Sequence, residues 1–117
     1  MNVNPSEKIE RCPVETTIDV IGGKWKPLIL FYLLAGTRRF NELQRLIPSI
    51  TQRMLTLHLR ELEKAGVVQR RAYPEVPPCV EYSLTNLGRS LEPILNLMLD
   101  WGQKHAITST HSSPRPE

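Results

Sequence analysis

The chain has 117 residues, 40% of them hydrophobic, with 15 Lys/Arg against 12 Asp/Glu and a formal charge of +3. That size admits one domain with a modest core and excludes two, and a dimer interface would help to stabilise it. The longest apolar run, residues 28 to 35, is far short of the roughly 18 residues of a membrane span. Glu7 and Glu10 precede any apolar segment, so no secretory signal is expected. The expected setting is therefore the cytoplasm, with no membrane partner and with Cys12 and Cys79 as free thiols rather than a structural disulfide.

In chain order, residues 1–11 are polar and poorly patterned, and are expected to be loose or ordered only against a partner subunit. Val14, Ile18 and Ile21 have helical spacing and predict a short helix ended by Gly22-Gly23. Pro27 suits the first turn of the next helix, which runs to about Ala35 and is apolar on nearly every side, as a buried central helix must be. After Gly36-Thr37, Arg38-Arg39 predict a brief strand or extended turn. Phe40 to Ile47 then read as a helix with Leu43, Leu46 and Ile47 inward.

Pro48 ends that helix, and the short Pro48-Ser49 connection suits a helix-turn-helix. Ser49 and Gln52 fit a capping box that starts the following helix near Ile50 or Thr51, and Gly66 stops it. At ~100° per residue, Met54, Leu55, His58, Leu59, Leu62 and Ala65 share one broad side, while Gln52, Arg53, Thr56 and Arg60 gather opposite. Glu61 projects toward the apolar side and is expected to pair with a basic side chain of a neighbouring helix.

Val67 to Tyr73 and Val80 to Leu84 predict two strands around a proline-rich tip, Pro74 to Pro78, where the missing N–H groups cost nothing. Thr85 caps a final helix expected from Asn86 to about His105, bent by Pro93. Its apolar stripe of Leu87, Leu91, Ile94, Leu95, Met98 and Trp101 is too long for so small a domain to cover. Leu91, Ile94, Leu95, Met98 and Trp101 are accordingly the candidate dimerisation residues. Residues 106–117, rich in Ser, Thr and Pro, read as a disordered tail, leaving residues 12–105 as the domain.

Charge is unevenly distributed. Between Arg38 and Arg71 there are eight Lys/Arg against three Glu, so the positive charge is concentrated in the middle third, which favours a local polyanion site. The order of elements predicts a mainly α protein with a small β-hairpin wing, an α+β winged helix-turn-helix.

Several blocks also resemble the HxlR-type bacterial transcriptional regulators. They are Gly22-Gly23-Lys24-Trp25, Gly36 with Arg39-Phe40-Asn41-Glu42-Leu43, Ile50 through Thr56, Leu59-Arg60-Glu61-Leu62-Glu63, Glu75-Val76-Pro77-Pro78, Val80 through Thr85, and Trp101-Gly102. The resemblance runs from about Cys12 to His105. It implies a homodimer with MarR-like architecture, joined through its N- and C-terminal helices, that binds a pseudo-palindromic operator in double-stranded DNA.

On this reading Thr51, Gln52, Arg53, Thr56 and Arg60 enter the major groove or touch its rims, since Arg pairs with guanine and Gln with adenine edges. Arg38, Arg39 and Arg45 are expected on phosphates, and Arg70 and Arg71 on the wing. At Cys79 the chain departs from the family pattern, in which a basic residue commonly follows the paired prolines, so the wing carries less charge.

Cys12-Pro13 opens the first helix, where resemblance to redox-responsive members implies an exposed, oxidisable thiol. A helix N-terminus favours negative charge, and Arg11 adds a positive one. The plainer reading is a small packing residue.

Three other functions are open to such a chain, of which a winged helix used only for protein contacts is opposed by the basic middle third. An enzyme lacks parts, for there is no phosphate-cradling Gly-rich loop, metal-spaced cluster or nucleophile and base set, which leaves only a thiol-dependent activity at Cys12. His58, on the core side of its helix, reads as a packed ring, and neither metal nor cofactor is expected. A small-ligand sensor of MarR type would place its effector among Trp25, Phe31, Tyr32 and Trp101, although aromatic residues in apolar helices are usually core.

Overall fold

The computed structural model describes residues 11–110. The elements are α1 (Pro13–Ile21), α2 (Lys26–Leu33), β1 (Arg38–Arg39), α3 (Phe40–Leu46), α4 (Gln52–Lys64), β2 (Val68–Tyr73), β3 (Cys79–Leu84), α5 (Asn86–Arg89) and α6 (Glu92–Thr110). This is a winged helix-turn-helix, with β2 and β3 as the wing.

The predicted brief strand at Arg38-Arg39 is a full sheet member. It pairs antiparallel with β3, which pairs in turn with β2, giving the order β1-β3-β2. Rows run straight across the strands. Arg38, Tyr82 and Arg70 form one, and Arg39, Glu81 and Arg71 the next. Because side chains alternate between faces, the two wing arginines point to opposite sides.

The core is built on α2. Ile29, Leu30 and Leu33 are fully buried and meet Leu43 of α3, Leu55, Leu59 and Leu62 of α4, and Val68, Tyr82 and Leu84 of the sheet. Full burial of each such aliphatic side chain contributes about 1.5–3 kcal/mol, so three leucines fix which side of α4 faces inward.

The turn before α4 is held by two bonds. The Ile50 N–H donates to the Ile47 carbonyl at 3.1 Å, and Gln44 Nε2 donates to the Ile50 carbonyl, also at 3.1 Å. Helix α4 begins one to two residues later than expected. Thr51, not Ser49, is the N-cap, and its hydroxyl accepts from the Met54 N–H at 3.1 Å. Ile50 is thereby left in the turn, buried against the core.

At the other end Gly66 has φ +82°, a conformation that L side chains rarely adopt. Its N–H reaches the Glu63 carbonyl and that of Val67 the Leu62 carbonyl, the paired bonds of a Schellman stop. This turns the chain out of α4 and into the wing.

The single C-terminal helix expected from Asn86 is two helices. Thr85 caps α5, whose short run ends at Arg89, and Pro93 lies in the first turn of α6 rather than inside a continuous helix. A proline inside a helix removes one bond and clashes with the preceding turn, whereas in the first turn it does neither. Helix α6 also runs five residues past His105, so residues 106–110 of the expected tail are helical. The expected loose segment lies outside the described residues for residues 1–10, as does the rest of the tail, residues 111–117.

The α6 stripe divides. Leu95 is buried and Leu91 partly buried against the core, so Leu95 is spent on the fold of the chain itself. Ile94, Met98 and Trp101 are exposed, and so are Leu97 and Leu99, which the periodic reading left out. Val14 and Ile18 on α1 are exposed as well, leaving Ile21 as the buried residue of that helix.

Candidate nucleic-acid interface

The outward side of α4 carries Gln52, Arg53 and Arg60 exposed to solvent and Thr56 half-buried. Among the described residues neither Arg53 nor Arg60 has a carboxylate within ion-pair distance. Together with Met54 and Leu57 these side chains line one shallow groove. The Thr56 hydroxyl donates to the Gln52 carbonyl at 2.9 Å, which leaves its oxygen lone pairs for accepting. Thr51 is also exposed, but its hydroxyl is the helix cap.

The opposite side of α4 is fixed as well. Glu61 pairs with a basic residue of a neighbouring helix, as expected. Its Oε1 lies 2.9 Å from Lys26 Nζ on α2 and 3.4 Å from His58 Nδ1. The Lys26 ammonium, by hydrogen bonding, holds the Glu61 carboxyl below the usual carboxylate range. His58 is packed inward, and its two ring nitrogens are shielded from water without a hydrogen bond.

The remaining arginines are spread over three elements. Arg39 and Arg45 are exposed and line a polar cleft with Thr37, Asn41, Glu42 and Glu81. The Arg39 N–H donates to Glu42 Oε1 at 2.8 Å, closing the start of α3. Arg38 differs from the other two. It is half-buried, and its Nε donates to the Tyr32 carbonyl at 3.1 Å, joining β1 to the end of α2. Part of its guanidinium therefore serves the fold. Arg70 and Arg71 are exposed on β2.

Two residues near this surface escaped the sequence reading. Glu81 stands directly opposite both Arg39 and Arg71 in the sheet register and adds a carboxylate to that row. That position depends on pairing between distant strands, which periodicity within one strand does not report. Leu57 is 46% exposed beside Arg53. Its angular position, one step beyond Arg53 on the polar side, was available from the helical projection.

The cysteines lie apart in the fold. Cys12 is exposed at the N-cap of α1, with Pro13 following. Arg11 is committed elsewhere, its Nε 3.0 Å from Glu15 and its terminal nitrogen 2.7 Å from Asp19. The expected support of Cys12 by Arg11 is thus diverted to two carboxylates. Cys79 begins β3 opposite Tyr73, the pair next to the turn at the tip of the wing, and it is buried there.

Of the four aromatic residues expected around an effector, Phe31 and Tyr32 line a groove between α2 and α6 with Lys24, Pro27, Leu28, Leu95, Met98 and Leu99. Trp25 instead packs against the core beneath Lys24, and Trp101 stacks on His105 with ring centres 4.2 Å apart. Among the described residues no helix is long and apolar enough to cross a membrane, and no group of His, Cys, Asp and Glu is set to hold a metal ion.

Comparison with known proteins agrees with this architecture. The model of the HxlR-like helix-turn-helix family matches residues 20–110. An uncharacterised HTH-type transcriptional regulator of Bacillus subtilis (strain 168), YdeP, is 60% identical over 100 residues, covering 86% of this chain and 78% of the relative. Among solved structures, the redox regulator HypR in its oxidised form superposes with a TM-score of 0.78 at 60% identity, over 80% of this chain and 97% of that one. A protein from Porphyromonas gingivalis W83 assigned to the MarR family superposes with a TM-score of 0.79 at 40% identity, over 85% and 99% of the two chains. The chain belongs to the HxlR-like helix-turn-helix family of transcriptional regulators, a membership that implies DNA as its partner.

Proposed function

We propose that the protein is a homodimer that binds a pseudo-palindromic operator, with one α4 in each of two successive major grooves. The observation that carries this reading is the exposed α4 face with Arg53 and Arg60 free of carboxylate partners among the described residues, on a helix whose other side is locked to the core. Arg53, Arg60, Gln52 and Thr56 supply base-edge and groove-rim contacts. Arg39 and Arg45 from α3, and Arg70 and Arg71 from the wing, bind phosphates and set the register, with Arg38 and Thr51 contributing chiefly through the fold.

The exposed apolar residues of α6 and α1 form the dimer seam. Val14 and Ile18 on α1 and Leu97, Met98 and Trp101 on α6 are large apolar side chains left exposed, the kind of surface by which subunits associate. Pairing there sets the two α4 helices about 34 Å apart, one turn of duplex. Cys12, exposed at the start of α1 and therefore near that seam, is the candidate redox switch, and the likeness to a redox regulator supports this reading. A second reading, a small apolar effector between α2 and α6, rests on the groove lined by Phe31, Tyr32, Leu95 and Met98. The proposal assigns no catalysis and no cofactor to the chain.

The test is binding to duplexes selected from a random pool, measured at several salt concentrations. A dimer neutralising roughly 6–10 phosphates loses about 10³–10⁵ in affinity between 50 and 200 mM salt. A flat salt dependence contradicts the reading.

A further inference from the structure

Leu57 is the large apolar side chain standing in the open on the outward face of α4. It is 46% exposed, one turn after Arg53 and nearly one turn before Arg60, and it shares their groove with Gln52 and Thr56. Its neighbours on the helix are arranged for other work. Leu55, Leu59 and Leu62 point into the core, while Glu61 reaches Lys26. Leu57 therefore stands outside the buried core and the residues packed against it.

A lone exposed leucine needs no explanation on an ordinary surface. Here it lies within a cationic face, and on a polyanionic duplex an apolar side chain has few suitable partners. The floor of the major groove offers hydrogen-bonding edges at every base pair and one apolar group, the C5 methyl of thymine. An isobutyl side chain beside an arginine that reads a guanine edge is placed to cover that methyl on a neighbouring base pair.

We propose that Leu57 is a specificity-determining residue that packs on a thymine 5-methyl group in each operator half-site. This rests on the DNA-binding reading above and deepens it, giving the α4 face an apolar contact beside its hydrogen-bonding ones. The contact discriminates thymine from uracil, which differs by that methyl alone. Burial of one such group is expected to change affinity by about fourfold.

The test uses the full chain and a duplex selected from a random pool by the wild-type protein. Each thymine is replaced singly by deoxyuridine, and dissociation constants are measured for wild type, Leu57→Ala and Leu57→Gln. Both substitutions sit on the solvent side of the helix, and circular dichroism verifies that each variant folds. One thymine per half-site is expected at which deoxyuridine weakens wild-type binding about fourfold, while both variants bind the two duplexes equally. Discrimination that persists in the variants, or a wild type indifferent to every replacement, overturns the proposal and leaves the DNA-binding reading intact. A change of oligomeric state in Leu57→Gln without methyl discrimination also overturns it, since Leu57 then faces protein. If wild type selects no duplex at all, the underlying DNA reading fails with it.

Discussion

Lys26 Nζ and Glu61 Oε1 are 2.9 Å apart, an ion pair that fastens α2 to the inner flank of the helix whose outer flank carries Arg53 and Arg60. The lysine is mostly sheltered, with 16% of its side chain exposed, so removal of the carboxylate leaves a charge with little water around it.

The pH dependence follows from the direction of the Glu61 shift. Lys26 lowers the folded-state value below the ordinary 4.5, so the pair's contribution is fully present above that value and is lost as pH falls through the depressed one. Glu61→Gln is therefore expected to be less stable than wild type at pH 7, with the two converging below pH 4.5. Urea unfolding across this range measures it. A gap that does not narrow in acid contradicts the assignment.

Dimer formation is checked on α6. Leu97 and Trp101 are 67% and 65% exposed and contribute little to the monomer core. The double substitution Leu97→Glu, Trp101→Glu is expected to keep the helical signal, sediment as a monomer and bind DNA at least tenfold more weakly, since pairing two binding sites raises effective concentration. A variant that remains dimeric would move the seam elsewhere.

Cys12 sits at an exposed helix start with no side-chain cap bond. Mild peroxide is expected to change operator affinity of wild type but not of Cys12→Ser, and non-reducing electrophoresis shows whether the product is an intersubunit disulfide or a sulfenic acid. Cys79 is buried, so Cys79→Ser is expected to respond as wild type does. An equal response in wild type and Cys12→Ser rules Cys12 out as the sensor.

Much of the architecture was readable because its signals are local. The α4 face follows from residues three and four apart, Gly66 from the conformation that a helix stop demands, and Glu61 from its appearance on an otherwise apolar side. Part of what escaped depends on contacts distant in sequence. The β1-β3 pairing, which puts Glu81 opposite Arg39, joins segments some forty residues apart. The split between α5 and α6 turns on Pro93 serving as a helix-starting residue rather than an interior one, a choice that periodicity alone does not make. The pairing of Arg11 with Glu15 and Asp19 is local, one and two turns along α1, and helical spacing alone carries its signal.

Whether the outward face of α4 reads DNA is tested most directly by the binding of Arg53→Ala, Arg60→Ala to the duplex selected by wild type. Both arginines lie outside the core, so the variant is expected to unfold at the same urea concentration as wild type. Loss of one base contact costs about 1–3 kcal/mol, and the double variant is accordingly expected to bind at least tenfold more weakly, with a shallower salt dependence. A folded, dimeric double variant with wild-type affinity would show that the wrong face has been assigned.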